Sequence, residues 1–306
     1  MQQVLLRYYD AKESTITAHG HQVLGHLKRC RTAALGYHLY KCGEEGCGHV
    51  QYQYHSCRDR HCPQCGALKK EEWIEARTRE LLPLQYYHVV FTLPHELNAL
   101  VLGHRRLLFQ LLFDAAAQTL LSFAQDPTYL GALPGVMAVL HTWGQQLSFH
   151  PHLHCIVSGG GVTQENKWRE AKKTKYGFLF PVKAMQIVYR AKFLEALRKR
   201  IATGEVSMPQ GSDAKGWIPL LYHKDWVVYA KAPFAGPQAV IEYLGRYTHK
   251  VAISNHRICS IQEQGSVRFH YKDYGDAGKQ KQMTLPAQEF IRRFIQHILP
   301  KGFTRI

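Results

Sequence analysis

Six of the eight cysteines fall in one short stretch, from Cys30 to Cys65. No other feature constrains the fold as much. The segment CGEEGCGHVQYQYHSCRDRHCPQCG (residues 42–66) is turn-rich and poor in apolar residues, so it cannot bury a core of its own. Something besides packing must hold it together. The N-terminal run MQQVLLRYYDAKEST lacks the long apolar core of a signal peptide, so a cytoplasmic location is expected. In that setting clustered thiols point to a metal rather than to disulfides.

The spacing is Cys42-x4-Cys47 followed by Cys57-x4-Cys62-x2-Cys65, with His49 and His61 interleaved. Zinc takes four soft or borderline ligands in a tetrahedron, which two cysteine pairs on facing knuckles supply. The preferred pairs are Cys42/Cys47, shaped by Gly46 and Gly48, and Cys62/Cys65, shaped by Pro63 and Gly66. Cys57 and His61 are the alternates, and Cys30, in KRCRTAALG, reads as a core residue. Four thiolates leave no open position for water, so the zinc would be structural. Free buried cysteines are the competing reading.

The net charge of +16 comes from 39 Lys and Arg against 23 Asp and Glu. Such an excess favours a polyanionic partner, and nucleic acid is the usual one. Arg58 and Arg60 sit within the cysteine cluster and are candidate DNA contacts, although a solvated charged face explains them too. No run approaches eighteen apolar residues, so no membrane span is expected.

Residues 1–80 read as a small zinc-binding, DNA-recognition domain, linked to the rest by a helix ending at Pro83. Residues 81–306 read as a second domain. A strand is expected at 86–94, a helix at 97–123, a strand pair at 136–147 and 152–160, and a helix at 182–201. Residues 208–216, MPQGSDAKG, read as a loop. A strand at 225–234, a helix carrying two tyrosines, strands at 250–262 and 266–274, and a last helix at 286–299 complete the order. The short link between the second and third strands suits a hairpin. The fold class is therefore α+β, with an antiparallel sheet and helices on one face.

Two short motifs in this second domain carry chemistry. Residues two apart on a strand share a face, so His152 and His154 point the same way. With the hairpin turning near Ser148–Phe149, Gln145 is the best-placed third ligand for a cation, with His141 and Gln146 behind it. A mixed nitrogen and oxygen site with open positions suits Mg²⁺ or Mn²⁺ beside a phosphate. Strand histidines without a metal fit the pattern equally well. Tyr243 and Tyr247, four apart on a helix, present two hydroxyls on one face, with Arg246 and Lys250 beside them to hold phosphates. A packed aromatic pair is the commoner fate of such tyrosines. With 19 His and 17 Tyr in the chain, either motif alone could arise by chance.

Their order and context carry more weight. FTLPHEL (91–97), HTWGQQLSFHPHLHCIVSGGG (141–161) and YLGRYTHKVAISNHRI (243–258) resemble the motifs of two-tyrosine HUH rolling-circle transposases of bacterial insertion sequences. The head, CRTAALGYHLYKC to YHSCRDRHCPQC, is similar to the zinc-binding domain that precedes the catalytic domain in that class. The resemblance covers roughly residues 20–306. It implies a palm-like HUH endonuclease fold. It also implies cleavage and rejoining of single-stranded DNA at element ends through a 5′-phosphotyrosine link, without ATP. His152 and His154 would hold the cation, Tyr243 and Tyr247 would be the nucleophiles, and zinc would sit in the head. The partner would be single-stranded DNA of transposon ends and target. A replication initiator or relaxase, or a non-catalytic zinc DNA-binding protein, are the alternatives. Relatives usually continue beyond a segment like HILPKGFTRI, a departure from the family pattern that leaves truncation open.

Overall fold

The computed structural model describes every residue except 172–176, 178, 210–212, 232–233, 235, 237–238, 241–242, 244 and 246–250. Two compact units result. The first comprises Met1–Trp73, Trp143–Phe149 and His249–Lys301, and the second Ile74–Thr142, His150–Thr248 and Gly302–Ile306.

The first unit starts with helices α1 (Gln2–Tyr8) and α2 (Ala18–Arg29). The Thr17 side chain caps α2 by accepting from the Gly20 amide. Gly20, Val23, Leu24 and Leu27 are buried, which is the i, i+3, i+4, i+7 stripe of a helix lying on a core. Strands β1 (Tyr37–Lys41) and β2 (Val50–Tyr54) form an antiparallel ribbon. A helix, α3 (Gly66–Arg79), leads out of the head.

The rest of the first unit comes from the far end of the chain. Strands β8 (Ile258–Gln262), β9 (Ser266–Asp273) and β10 (Lys279–Pro286) make a three-stranded antiparallel sheet, followed by α8 (Ala287–Ile295). Ala287, Phe290, Ile291 and Phe294 of α8 join Phe269, Val4, Leu5, Leu24 and Leu27 in one core. The rings of Phe269 and Phe290 meet edge-on at 5.6 Å. Each such buried ring contributes roughly 1.5–3 kcal/mol. Strand β10 was not expected. Its inward positions are Lys281, Met283 and Leu285, and the lysine breaks the apolar alternation that would have shown it. Lys281 is accommodated by the Asp273 carboxylate at 2.8 Å.

The second unit is built on a five-stranded sheet. Strands β4 (Leu133–Trp143), β5 (Phe149–Val162), β3 (Tyr86–Thr92) and β7 (Val228–Lys231) lie in that order, with β6 (Trp168–Glu170) beside β5. The pairings of β3 with β5 and β7, and of β5 with β6, are antiparallel. This is the α+β arrangement expected from the sequence. The glycine run of β5 has a steric reason. A Cβ on Gly161 would come within 2.5 Å of the Leu133 carbonyl oxygen, where the chain passes close to the strand.

Period-two alternation divides β3 and β5 cleanly. Val89, Phe91, Leu153, Cys155 and Val157 are buried. The Phe91 ring meets Tyr189 of α6 (Val182–Ala202) at 5.0 Å, and the Tyr189 hydroxyl donates to the Thr92 carbonyl at 3.2 Å. The opposite face carries His88, His152 and His154.

The helix expected at 97–123 is two helices, α4 (Asn98–Gly103) and α5 (Arg105–Gln125), because His104 leaves helical geometry at φ −128° and ψ 44°. By length and composition alone α5 is long and apolar enough to cross a membrane, as the core helix of a globular unit also can be. Here Leu108, Phe109, Leu112, Ala116 and Leu120 are buried within the unit. The loop expected at 208–216 instead opens α7 (Ala214–Tyr222). Its turn-like residues are the cap: the Asp213 carboxylate accepts from the amides of Lys215 and Gly216.

Candidate active site and metal centre

The register of β3 on β5 sets Thr92 opposite His152, Val90 opposite His154 and His88 opposite Ile156. His88 and His154 are therefore diagonal neighbours on one face, within reach of each other. Their rings stack nearly parallel at 5.2 Å, and His88 Nε2 lies 2.9 Å from His154 Nδ1. His152 uses its Nδ1 as well, donating to the His150 carbonyl at 2.6 Å. A ring held through one nitrogen in this way is how metal-ligating imidazoles are oriented.

His141 completes the group. One ring nitrogen from each of His141, His152 and His154 lies within 4.8 Å of the others. His141 and His154 are buried. The sequence ranked Gln145 ahead of His141 as third ligand, and the structure places the two differently. Strand β4 ends at Trp143, and the Gly144 amide donates to the Ser148 carbonyl to close a tight turn, with Leu147 at φ 59°. Gln145 therefore sits in the turn, not on the strand. Its side chain donates to the Tyr274 hydroxyl at 3.5 Å, and its carbonyl accepts from Arg257. Three imidazoles form a softer donor set than the mixed site expected from the sequence. They suit borderline cations better than Mg²⁺.

Tyr243 stands over the same face. Its hydroxyl is 3.5 Å from His88 Nδ1, and the two rings meet edge-on at 4.8 Å. Phe234 packs on the Tyr243 ring at 5.2 Å, and the Lys231 ammonium lies 5.6 Å from its centroid. His88 thus bridges the tyrosine and His154. Burial, with Lys231 and His152 adding positive charge nearby, lowers the His88 pKa to about 3. The ring is neutral at physiological pH, with one nitrogen donating and the other accepting. The sequence reading missed His88. Its only signal was one histidine in the otherwise apolar and aromatic strand YYHVVFT. Tyr247, Arg246 and Lys250 lie outside the described residues.

The cysteines also regroup. Cys30, Cys57, Cys62 and Cys65 come together, each offering one sulfur within 4.8 Å of the others. Cys30 Sγ is 3.4 Å from Cys65 and 3.6 Å from Cys62, and Cys57 is 3.6 Å from Cys65. A disulfide would need about 2 Å. The edge of a zinc–thiolate tetrahedron is roughly 3.8 Å, close to these separations. Cys30, expected in a core, is indeed buried, but it also caps α2 and so enters the group. It continues the buried stripe three residues after Leu27. Cys42 and Cys47, the preferred first pair, are not in the group.

Of the two alternates, Cys57 joins the group and His61 does not. His61 Nδ1 bonds the Asp59 carboxylate at 2.9 Å, and its Nε2 accepts from the Leu299 amide at 3.2 Å. The four thiols share protons among themselves. Cys57 is drawn down to about 5, chiefly by the bond from Cys62, while burial pushes Cys30 up to about 11. Arg58 has φ 53° and lines a cleft beside Cys57, and burial lowers the pKa of Arg60.

Residues 135–306, more than half of the chain, match the family described as "Putative transposase" (Y2_Tnp). The chain belongs to this transposase family. Residues 1–93 of the transposase match a "Transposase zinc-binding domain" (Zn_Tnp_IS91). The Cys30, Cys57, Cys62 and Cys65 group lies within that match. The transposase is 45% identical to "Putative transposase y4qJ" of Sinorhizobium fredii, over 97% of this chain and 75% of that protein. It is 29% identical to "Transposase for insertion sequence element IS801" of Pseudomonas savastanoi pv. phaseolicola, over 90% of this chain and 66% of that protein. Both relatives are longer than this chain. Among solved structures, the conjugative relaxase TrwC in complex with OriT DNA is similar over 37% of this chain and 43% of that one, at 20% identity and a TM-score of 0.28. Its metal-bound form matches over 53% of this chain and 70% of that one, at 13% identity and a TM-score of 0.29.

Proposed function

We propose that this transposase cleaves and rejoins single-stranded DNA with Tyr243 as a nucleophile. The observation that carries the reading is the continuous arrangement of Tyr243, His88 and His154 beside His141 and His152. A phenol is a weak nucleophile near neutral pH, so the site must favour its anionic form. In the proposed step the Tyr243 oxygen attacks phosphorus and the bond from phosphorus to the 3′ oxygen breaks. The phenolic proton is released, and the departing 3′ oxygen takes one up. The product is a 5′-phosphotyrosine link and a free 3′-OH, so the bond is conserved for religation without ATP. Tyr247 would serve a second transfer, with Arg246 and Lys250 on the phosphates.

His141, His152 and His154 would hold a divalent cation, Mn²⁺ more readily than Mg²⁺. It would offset charge developing on the phosphate. His88 orients His154 by accepting from its Nδ1–H, and its own Nδ1–H then faces the tyrosine oxygen. The head, residues 1–80, would recognise DNA and residues 81–306 would cleave it. Arg58 and Arg60 would contact the DNA. Zinc would be held by Cys30, Cys57, Cys62 and Cys65.

The test is incubation with single-stranded oligonucleotides from candidate element ends and Mn²⁺, followed by denaturing electrophoresis. A denaturation-resistant protein–DNA adduct is expected, and its absence with every cognate end would defeat the reading. Two variants then probe the supporting residues. His141→Ala is expected to raise the Mn²⁺ concentration needed for adduct formation by about tenfold or more, whereas Gln145→Ala leaves it unchanged. The opposite ranking would restore Gln145 as ligand. His88→Ala is expected to slow adduct formation by roughly 10–100-fold, the usual effect of removing a partner that orients a ligand. Saturating Mn²⁺ should restore only part of the loss, because the contact with Tyr243 is missing as well. Wild-type rates in His88→Ala would remove it from the site.

A further inference from the structure

The β1–β2 ribbon of the head is exposed along both strands. Its register pairs Tyr37 with Tyr54, Leu39 with Tyr52 and Lys41 with Val50, so these six residues share one face. An apolar sheet face is ordinarily covered by a second layer. Here Tyr37, Leu39, Tyr52 and Tyr54 are each between 42% and 56% exposed. The three rings are ordered against one another. Tyr52 and Tyr54 lie nearly parallel, 13° apart at 6.2 Å, and Tyr37 meets them edge-on at 5.1 and 5.8 Å.

The other side of the ribbon adjoins a cleft that carries two arginines, Arg29 and Arg58. His38 of β1 and His55, just beyond β2, meet edge-on at 4.7 Å. They line a cleft of about 490 Å³ together with His26, Arg29, Leu35, Ser56, Cys57 and Arg58. No carboxylate is among the described residues lining it. Lys41 adds a further positive charge at the end of the ring-bearing face.

Rings on a ribbon next to a basic cleft are what a single-stranded polyanion with flat bases requires. Aromatic side chains stack on unpaired bases and arginines track the phosphates. A duplex hides its base faces in the stack, so such a surface distinguishes unpaired from paired DNA. We propose that the β1–β2 ribbon binds unpaired bases of single-stranded DNA on Tyr37, Tyr52 and Tyr54, with Arg29 and Arg58 in the adjoining cleft holding the backbone. The proposal rests on the reading that this transposase acts on single-stranded DNA, and it gives the head a specific role there.

The experiment uses the full zinc-loaded chain and fluorescence anisotropy with two probes, oligo(dT) and the same strand annealed to oligo(dA). Tyr52→Ala with Tyr54→Ala is expected to weaken binding of the single strand by about tenfold or more, with little change for the duplex. Tyr52→Phe with Tyr54→Phe keeps the π faces and is expected to bind as wild type. Arg29→Gln is expected to lower the salt dependence of single-strand binding by roughly 0.7 in log–log slope. Zinc content, measured for each variant, should stay at the wild-type level and so report an intact head. Unchanged affinity of the Ala variant for oligo(dT), or an equal loss on both probes, would overturn the proposal. So would an Ala variant that dissolves a wild-type dimer in sedimentation while binding oligo(dT) normally, since the face would then belong to a second copy. Adduct formation at saturating DNA is the separate readout of cleavage. If the ribbon variants lose affinity but no protein ever forms an adduct, the cleavage reading fails and the ribbon assignment stands.

Discussion

Replacing Tyr243 and Tyr247 together by phenylalanine is expected to abolish the covalent protein–DNA adduct, lowering the cleavage rate by roughly 10⁴-fold or more, as loss of a nucleophile does. DNA binding should persist, because the rings remain. Tyr243→Phe alone is the sharper test of the geometry. The Tyr243 ring is fixed by Phe234 and His88, with its hydroxyl against His88. Its single substitution should therefore remove the first strand transfer even with Tyr247 intact. The measurement is adduct yield on a denaturing gel with a labelled single strand, run beside the double variant. An adduct of wild-type yield in the double variant would show that another nucleophile does the chemistry. One that survives only in Tyr243→Phe would hand the first step to Tyr247.

The second large effect concerns zinc. Cys30→Ser is expected to lose the metal, and Cys42→Ser to keep it. Zinc binding supplies on the order of 10–16 kcal/mol to small metal-dependent folds, and a site reduced to three thiolates forfeits a substantial part of that. The loss should destabilise the head by on the order of 3–5 kcal/mol, lowering its melting temperature by roughly 12–40 °C. Elemental analysis of purified protein and thermal melts read both quantities. Stoichiometric zinc in Cys30→Ser together with its loss from Cys42→Ser would reinstate the pairing inferred from spacing. The prediction is sharp because the two cysteines differ so clearly in place. Cys30 is buried at the end of α2 among three other sulfurs, and Cys42 is half-buried and outside that group.

These two sites show what a linear pattern can and cannot reveal. His152 and His154 were legible because a strand places alternate residues on one face whatever surrounds it. The cysteine cluster was legible as a metal device because its composition excludes a core. The membership of each site was not legible. Cys30 enters from a helix twelve residues upstream of Cys42, and only the buried stripe of α2 aims it inward. Gln145 was expected on the strand, but the strand ends at Trp143 and the residue falls in the turn, where face alternation no longer applies. His88 required the diagonal relation between β3 and β5, a contact 66 residues apart in the chain. The long helices and central strands followed from periodicity. Strand β10 did not, because a lysine held by an aspartate occupies one of its inward positions.

The composite build of the first unit has a consequence for how the protein comes to life on the ribosome. Val4, Leu24 and Leu27 are made long before the residues that cover them, among them Phe269, Phe290 and Phe294. A nascent chain therefore carries an uncovered apolar head until that distant segment is made, the situation in which chaperone capture and aggregation compete with folding. Closing this core spans nearly the whole chain, and such distant closure is slow. A frameshift or deletion anywhere before α8 would thus strike the opposite end of the molecule, unsettling the fold around its N-terminal helices. A broken reading frame would leave those helices without the residues that close their core.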